Sequence, residues 1–151
     1  MGMTQADTIS ILNDLIETLK DGQYGFRVAS EDVKNSELKS LFQKYSMQRA
    51  QFAGELQSEA VQLGEKEPEE TSSAAGALHR GWINFKSALA GGDEGAILSE
   101  CERGEDAAVA EFQQALEKDL PQNIRDIVER QYRDVKAAHD TVRGLRDART
   151  K

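Results

Sequence analysis

Four long segments of this sequence repeat their apolar residues at the spacing of an α-helix, and this periodicity limits the possible folds more than any other feature. The stripe of the second segment, for example, runs through Leu38, Phe42, Tyr45, Phe52 and Leu56. Residues three and four apart share one face of a helix, whereas a strand would alternate at every second position. No such alternation with turn signals occurs, and the chain has only two prolines. The pattern predicts an all-α protein.

Capping residues and helix breakers set the predicted boundaries. We predict one domain over residues 1–151, with helices at about residues 8–33, 36–63, 74–90, 94–119 and 121–149. Asp7 or Thr8 is expected to cap the first helix, and Asp93 the helix that starts near residue 94. The stretch "NSELKSLF" offers a Ser or Asn cap to the second helix, which Gly64 is expected to end. Pro121 suits the first turn of the last helix.

The lengths of the connections predict how the helices are ordered. Helices of about 26 residues are about 39 Å long, and short turns near residues 34–35 and 120 join them in two antiparallel pairs. The link between the pairs is much longer, and its predicted helix at 74–90 would reach about 25 Å. That helix can carry the chain back along the bundle, so that the second and third long helices run parallel. We therefore predict a ferritin-like four-helix bundle with an additional crossover helix.

Charge and composition exclude several classes of partner. The formal net charge is −8, which makes nucleic acid an unexpected partner because phosphate binding needs a basic surface. No apolar run approaches the roughly 20 residues that span a bilayer, and the N-terminus does not resemble a secretory signal. A membrane partner is therefore not expected. With Cys101 as the only cysteine there is no internal disulfide, so we expect a cytoplasmic protein.

The last helix differs from the rest of the chain in charge. Residues 122–151 contain 8 basic and 5 acidic side chains, a net charge of +3. One interpretation is a basic helix packed beside acidic ones. The other is a docking surface for an acidic protein partner or for a second copy of the chain in a homo-oligomer.

Each long helix places one polar residue on or near its apolar stripe, at about the same height in the predicted bundle. These residues are Gln23, Arg49, Glu105 and Gln131. Asp21, in contrast, is predicted to lie well away from the stripe of the first helix. We predict a buried polar layer in which the guanidinium neutralises the carboxylate and the two glutamines satisfy the remaining donors and acceptors. The alternative is that the four residues form no layer, and that their approximate positions on the helices agree only by chance.

A ferritin-like bundle can hold a di-iron site at this height, but the necessary ligands are missing from the sequence. That site takes a Glu from each of two helices and Glu-x-x-His from each of the other two. His79 is preceded at this spacing by a glycine and His139 by a lysine, and Arg49 would place a positive charge where a metal ion should bind. We therefore expect no metal cofactor. The alternative is a degenerate di-metal oxidoreductase that binds iron or manganese through Glu102, Glu105 and His139.

Other residues have simpler interpretations. His79 is expected to form a hydrogen bond that fixes the crossover helix, and His139 to bond a carboxylate on a neighbouring helix. Cys101 faces inward, which is typical of a buried, inert thiol. Gly22 and Gly25 suit a close approach of two helices, or they make room for a small molecule in a mid-bundle cavity.

Several segments together resemble a bacterial family of uncharacterised ferritin-like four-helix-bundle proteins, over about residues 8–147. They are "ILNDLIETLKDGQYGF", "LFQKYSMQRAQFAGELQ", "GALHRGWINFKSAL", "ECERGEDAAV" and "RQYRDVKAAHDTVRGLRD". The resemblance implies a ferritin-like bundle and brings no established activity.

The segment "FQKYSMQRAQF" is similar in outline to the second helix of rubrerythrin-like and ferritin-like proteins. Arg49 and Phe52 then stand where those proteins have Glu and His ligands, which argues against iron oxidation or peroxide reduction. We expect a metal-free interaction module rather than an enzyme, and no catalytic residue is predicted. An association with stress is implied only by analogy with the ferritin-like superfamily.

Overall fold

The computed structural model of the chain describes residues 3–65 and 93–149, which form four helices. They are α1 (Gln5–Asp32), α2 (Ser36–Gln62), α3 (Glu94–Leu116) and α4 (Gln122–Arg149). These residues contain no β-strand, which confirms the prediction of an all-α four-helix bundle. The predicted helix at 74–90, which includes His79, lies outside the described residues. None of the four helices is long and apolar enough to cross a lipid bilayer.

Polar side chains cap the first three helices. Thr4 caps α1 by accepting a hydrogen bond from the backbone N–H of Asp7 at 3.1 Å, so this helix begins earlier than the predicted cap at Asp7 or Thr8. Asn35 and Asp93 cap α2 and α3, as predicted, by accepting bonds from backbone N–H groups of the first turns. Each cap satisfies donors that have no partner inside the helix.

Glycine and proline mark the ends of the helices. Gly64 has a φ of 106°, a left-handed conformation that favours glycine, and it follows the C-cap residue Leu63 of α2. The predicted stop at Gly64 is therefore confirmed. Pro121 directly precedes the first residue of α4, and its carbonyl accepts from the N–H groups of Ile124 and Arg125. The proline thus starts the helix from just outside it.

Hydrogen bonds between helices show the direction of each helix. In three pairs of helices the bonded residues rise in number along one helix as they fall along the other. They are Ser46 to Gln23 and Lys39 to Ser30 in α1–α2, Arg149 to Glu94 and His139 to Asp106 in α3–α4, and Asn123 to Glu59 and Arg130 to Glu55 in α2–α4. These three pairs are antiparallel. Because α2 and α3 both run opposite to α4, they point in the same direction.

Two hydrophobic clusters fill the bundle, one toward each end. The first contains Leu12, Leu19, Phe52, Leu56, Phe112, Val128 and Val135 among its members. The second contains Phe26, Phe42, Tyr45, Ile97, Leu98 and Val142 among its members. The break between the clusters falls near residue 22 on α1, residue 49 on α2 and residue 105 on α3. Polar side chains occupy this level.

Candidate functional site

A fully buried ion pair lies at the level between the two hydrophobic clusters. Arg49 of α2 donates from Nη1 to Oε2 of Glu105 at 2.6 Å and from Nη2 to Oε1 at 2.5 Å. The two side chains are 1% and 0% exposed. Such a two-fold contact uses the planar fork of the guanidinium and fixes its orientation. The pair links α2 to α3 across 56 residues of sequence.

The rest of the Arg49 side chain is equally enclosed. Its Nε donates to the side-chain oxygen of Gln48 at 3.3 Å, and the centre of its guanidinium lies 5.4 Å from the centroid of the Phe26 ring. An aromatic face at this distance attracts a cation. The guanidinium therefore has a partner on each nitrogen and an aromatic ring beside it.

Gly22 leaves the space that the arginine occupies. A Cβ atom built on this residue would lie 3.1 Å from Nη1 of Arg49 and 3.4 Å from its Cγ. Because Glu105 holds both terminal nitrogens of the guanidinium, the head group has little room to retreat. Glycine at position 22 thus leaves the room that the Arg49 side chain of the ion pair needs.

The two predicted glutamines do not complete this pair. Gln131 is fully buried, but its side-chain amide donates to the carbonyl of Phe52 and to Glu55, each at 3.2 Å. Gln23 is only partly buried, and its Oε1 has no hydrogen-bond partner among the described residues. The remaining donor of Arg49 goes to Gln48 instead. Helical phase gives the face on which a residue lies, but it does not give the height at which the neighbouring helix meets it.

The prediction for Asp21 was wrong. This residue is only 3% exposed, although its phase places it away from the stripe of α1. Helix α1 packs against both α2 and α3 and so buries a wider arc than one apolar stripe.

The proposed metal ligands are divided between two places. Glu105 faces Arg49, whereas Glu102 and His139 lie together with Asp106. One ligand atom from each of these last three residues lies within 4.8 Å of the others. We call Glu102, Asp106 and His139 the α3–α4 cluster. Sequence reasoning missed Asp106, and the only signal for it was its position one turn after Glu102 on the helix.

His139 is held between two carboxylates. Its Nε2 lies 2.5 Å from Oδ1 of Asp106 and its Nδ1 lies 3.0 Å from Oδ1 of Asp140. Burial of the ring lowers the pKa of His139, but the hydrogen bonds to Asp140 and Asp106 outweigh it and raise the pKa above the usual value. These contacts agree with the expected bond between His139 and a carboxylate on a neighbouring helix.

Two arginines of α4 contact Glu102, the remaining member of the α3–α4 cluster. Glu102 accepts a short contact from Nη1 of Arg146, and one of its oxygens lies 3.6 Å from Nε of Arg143. Arg146 also contacts Asp147, with 2.7 Å between Nη2 and Oδ1. The guanidinium of Arg146 therefore has a second partner, and its side chain is 29% exposed.

Cys101 lies inside the bundle as predicted and is fully buried. Burial raises the pKa of its thiol well above the usual value, and the nearby charges of Glu105 and Glu100 raise it further. A thiol that stays protonated is a weak nucleophile.

Most of the basic side chains of α4 face acidic residues of other helices. Arg130 pairs with Glu55 of α2 at 2.6 Å, and Arg149 pairs with Glu94 of α3 at 3.1 Å. These contacts agree with a basic helix packed beside acidic ones. Arg133 differs, because it is exposed and no ion pair joins it to another described residue.

Comparison with known proteins gives a family for this sequence. A search of curated proteins found no match. A family model described as a domain of unknown function, DUF2383, matches residues 7–118, which include α1 from its third residue onward, all of α2 and α3, and both Arg49 and Glu105. Since the match covers well over half of the 151 residues, the chain belongs to the DUF2383 family.

Proposed function

We propose that this chain is a ferritin-like protein that holds no metal at its centre and acts as an interaction module rather than an enzyme. The observation that supports this proposal most is the buried Arg49–Glu105 pair. Both carboxylate oxygens already accept from a guanidinium. A metal ion placed there would also meet the positive charge of Arg49 in a poorly screened interior. The level that could hold a di-metal centre is thus electrically balanced by the protein itself.

The ferritin-like assignment is supported by the direction of the helices. In that connectivity the second and third long helices are parallel and a long connection joins them. Here α2 and α3 point the same way, and residues 63–93 connect them. The stress association remains part of the proposal by analogy with that superfamily. The cytoplasmic location remains part of it because a single cysteine forms no internal disulfide.

An interaction module must act through its surface, and α4 is our candidate for the contact. Arg133 is exposed with no ion partner in the described part of the chain, and Lys136 pairs only with Asp140 of its own helix. These charges suit an acidic protein surface, which another copy of this net-negative chain also provides. We therefore propose a protein partner or a homo-oligomer, with no nucleic-acid or membrane partner.

The alternative, a degenerate di-metal oxidoreductase or iron-binding protein, has less support. Glu105 would have to leave Arg49 and join Glu102 and His139, which would leave a buried guanidinium without its counter-ion. Breaking a buried pair in this way costs about 3–5 kcal/mol. Binding of iron or manganese would have to offset that loss.

Elemental analysis of the full chain, purified from cells without added metal, tests the proposal. We expect far less than one iron or manganese per chain. Near-stoichiometric iron or manganese that is lost in Glu105→Gln but kept in Glu94→Gln would overturn it. Glu94→Gln is the matched control because it removes a carboxylate from the first turn of α3, where its partner is Arg149.

The contact through α4 has its own test. We expect the mass from light scattering, or the affinity for an identified partner, to fall with added salt and in Arg133→Glu. Arg27→Glu reverses the same charge at an exposed position of α1 and serves as the control. Equal behaviour of the two variants would overturn the assignment of this surface.

A further inference from the structure

The α3–α4 cluster is separate from the buried ion pair and has a different chemistry. Two carboxylates one turn apart on α3 face an imidazole from α4, and their ligand atoms lie within 4.8 Å of one another. Nitrogen and oxygen donors of this kind bind divalent transition metals, and imidazole in particular suits zinc. We propose that Glu102, Asp106 and His139 form a site for one divalent transition-metal ion of the zinc class.

The contacts of His139 support this proposal independently of the cluster itself. A histidine that binds a metal through one ring nitrogen usually donates from the other to a carboxylate, which fixes the orientation of the ring. Asp140 lies 3.0 Å from Nδ1 and can accept that bond. Nε2 then points toward Asp106 on the neighbouring helix. Asp140 in turn is held by Lys136, with distances of 2.8 and 2.9 Å.

The geometry requires only small side-chain shifts. Donors around one zinc ion at about 2.0–2.2 Å lie about 3.3 Å apart at tetrahedral angles. Nε2 of His139 and Oδ1 of Asp106, which are 2.5 Å apart, therefore have to separate, and the wider gaps within the 4.8 Å cluster have to narrow. Asp106 is 62% exposed and has room to rotate, while Glu102 and His139 are largely shielded. The ion would therefore enter from the side of Asp106 and keep water in its remaining positions. On binding, it replaces any proton on Nε2, which leaves to solvent.

Arg146 competes with the ion for Glu102. Its guanidinium contacts this carboxylate but also contacts Asp147, so it can release Glu102 without losing every partner. Removing this competing cation should strengthen metal binding if Glu102 is a ligand. Loss of a positive charge also favours cations on a surface without specific ligands. The gain in Arg146→Gln should therefore exceed that in Arg149→Gln, which removes the same charge from a pair with Glu94. The proposed site thus predicts weaker metal binding when a ligand is removed and stronger binding when Arg146 is removed.

Titration of the metal-free full chain with Zn²⁺ against a chromophoric chelator tests the proposal. We expect one ion per chain in the wild type, and binding at least about tenfold weaker in Asp106→Asn and His139→Ala. Asp140→Asn, which removes the carboxylate behind the ring, should weaken binding by about 10–100-fold. Arg146→Gln should strengthen it. His79→Ala removes the other histidine of the chain and serves as the control.

The outcomes are distinct, and the inference is independent of what occupies the centre of the bundle. Asp106→Asn changes an exposed side chain, so it tests the site even if His139→Ala fails to fold. A melting temperature that rises with Zn²⁺ in the wild type, but not in Asp106→Asn, would support the site. Equal zinc affinity in the wild type and Asp106→Asn, or loss of binding only in His79→Ala, would overturn it. Arg146→Gln binding no more tightly than the wild type would remove Glu102 from the ligand set.

Discussion

Glu102 and Glu105 lie one turn apart on α3, yet their surroundings differ in kind. Both side chains are almost fully buried. Glu105 faces a guanidinium that is itself 1% exposed, whereas the partners of Glu102, Arg143 and Arg146, are 59% and 29% exposed. The burial of the cation, rather than that of the carboxylate, therefore distinguishes the two sites. The Arg49–Glu105 pair is closed to solvent, whereas Glu102 can exchange one cationic partner for another.

The largest expected effect comes from breaking the closed pair. Arg49→Met and Glu105→Leu should each reduce the free energy of unfolding by about 3–5 kcal/mol, because each leaves one buried charge without its counter-ion. The double variant should lose much less, since both charges are removed together. Urea denaturation of the three variants measures the coupling. A loss in the double variant equal to the sum of the two single losses would show that the two charges are not coupled.

A smaller loss of stability is expected from a substitution that narrows the space occupied by Arg49. Gly22→Ala should reduce the free energy of unfolding by about 1–3 kcal/mol, because the new methyl group meets a guanidinium that cannot move away. Gly144→Ala is the matched control. A Cβ at that helical position meets nothing within 4 Å, so alanine should stabilise the protein by about 0.5–1 kcal/mol.

A double-mutant cycle between Gly22 and Arg49 tests whether the arginine fills this space. In an Arg49→Ala background, the loss caused by Gly22→Ala should largely disappear, because the three nearest atoms to the new Cβ all belong to Arg49. A loss of equal size in both backgrounds would contradict the assignment of this space to the ion pair.

The smallest effect is expected for an exchangeable pair at the surface. Arg130→Ala removes the contact with Glu55, and both side chains are partly exposed. We expect a loss of about 0.2–1 kcal/mol, which should shrink further at about 1 M salt, where charges are screened within about 3 Å. Denaturation at low and high salt measures this. The loss in Arg49→Met should change little between the two salt conditions. Equal salt sensitivity of Arg130→Ala and Arg49→Met would contradict the distinction between an exposed and a buried ion pair.

Much of this molecule follows from the periodicity of its sequence. The stripes placed Arg49 and Glu105 inward on α2 and α3, and both side chains lie inside the bundle. Asn35, Gly64 and Asp93 act at helix ends as local sequence rules predict. These features depend on the chain within a few residues of each position, and such features can be inferred without knowing how the helices meet.

The parts that differ from the predictions depend on contacts between helices. The phase of α4 put Gln131 inward, but its amide meets Phe52 and Glu55 rather than the ion pair. Asp106 was not among the predicted site residues, and it is the packing of α4 that places His139 beside it. A helix can slide along its axis or rotate slightly while keeping the same apolar stripe, and those shifts decide which polar atoms touch.

The amino-acid sequence by itself thus determined the four described helices and the inward direction of the two central charges, because both follow from a local repeat of about 3.6 residues. It also determined the caps Asn35 and Asp93, which follow from local capping rules. Only the tertiary structure decided that the two charges meet, that Gly22 makes room for them, and that Glu102, Asp106 and His139 come together. The physical reason is that a hydrogen bond or a metal ligand requires placement within a few tenths of an ångström. A hydrophobic stripe fixes only the face.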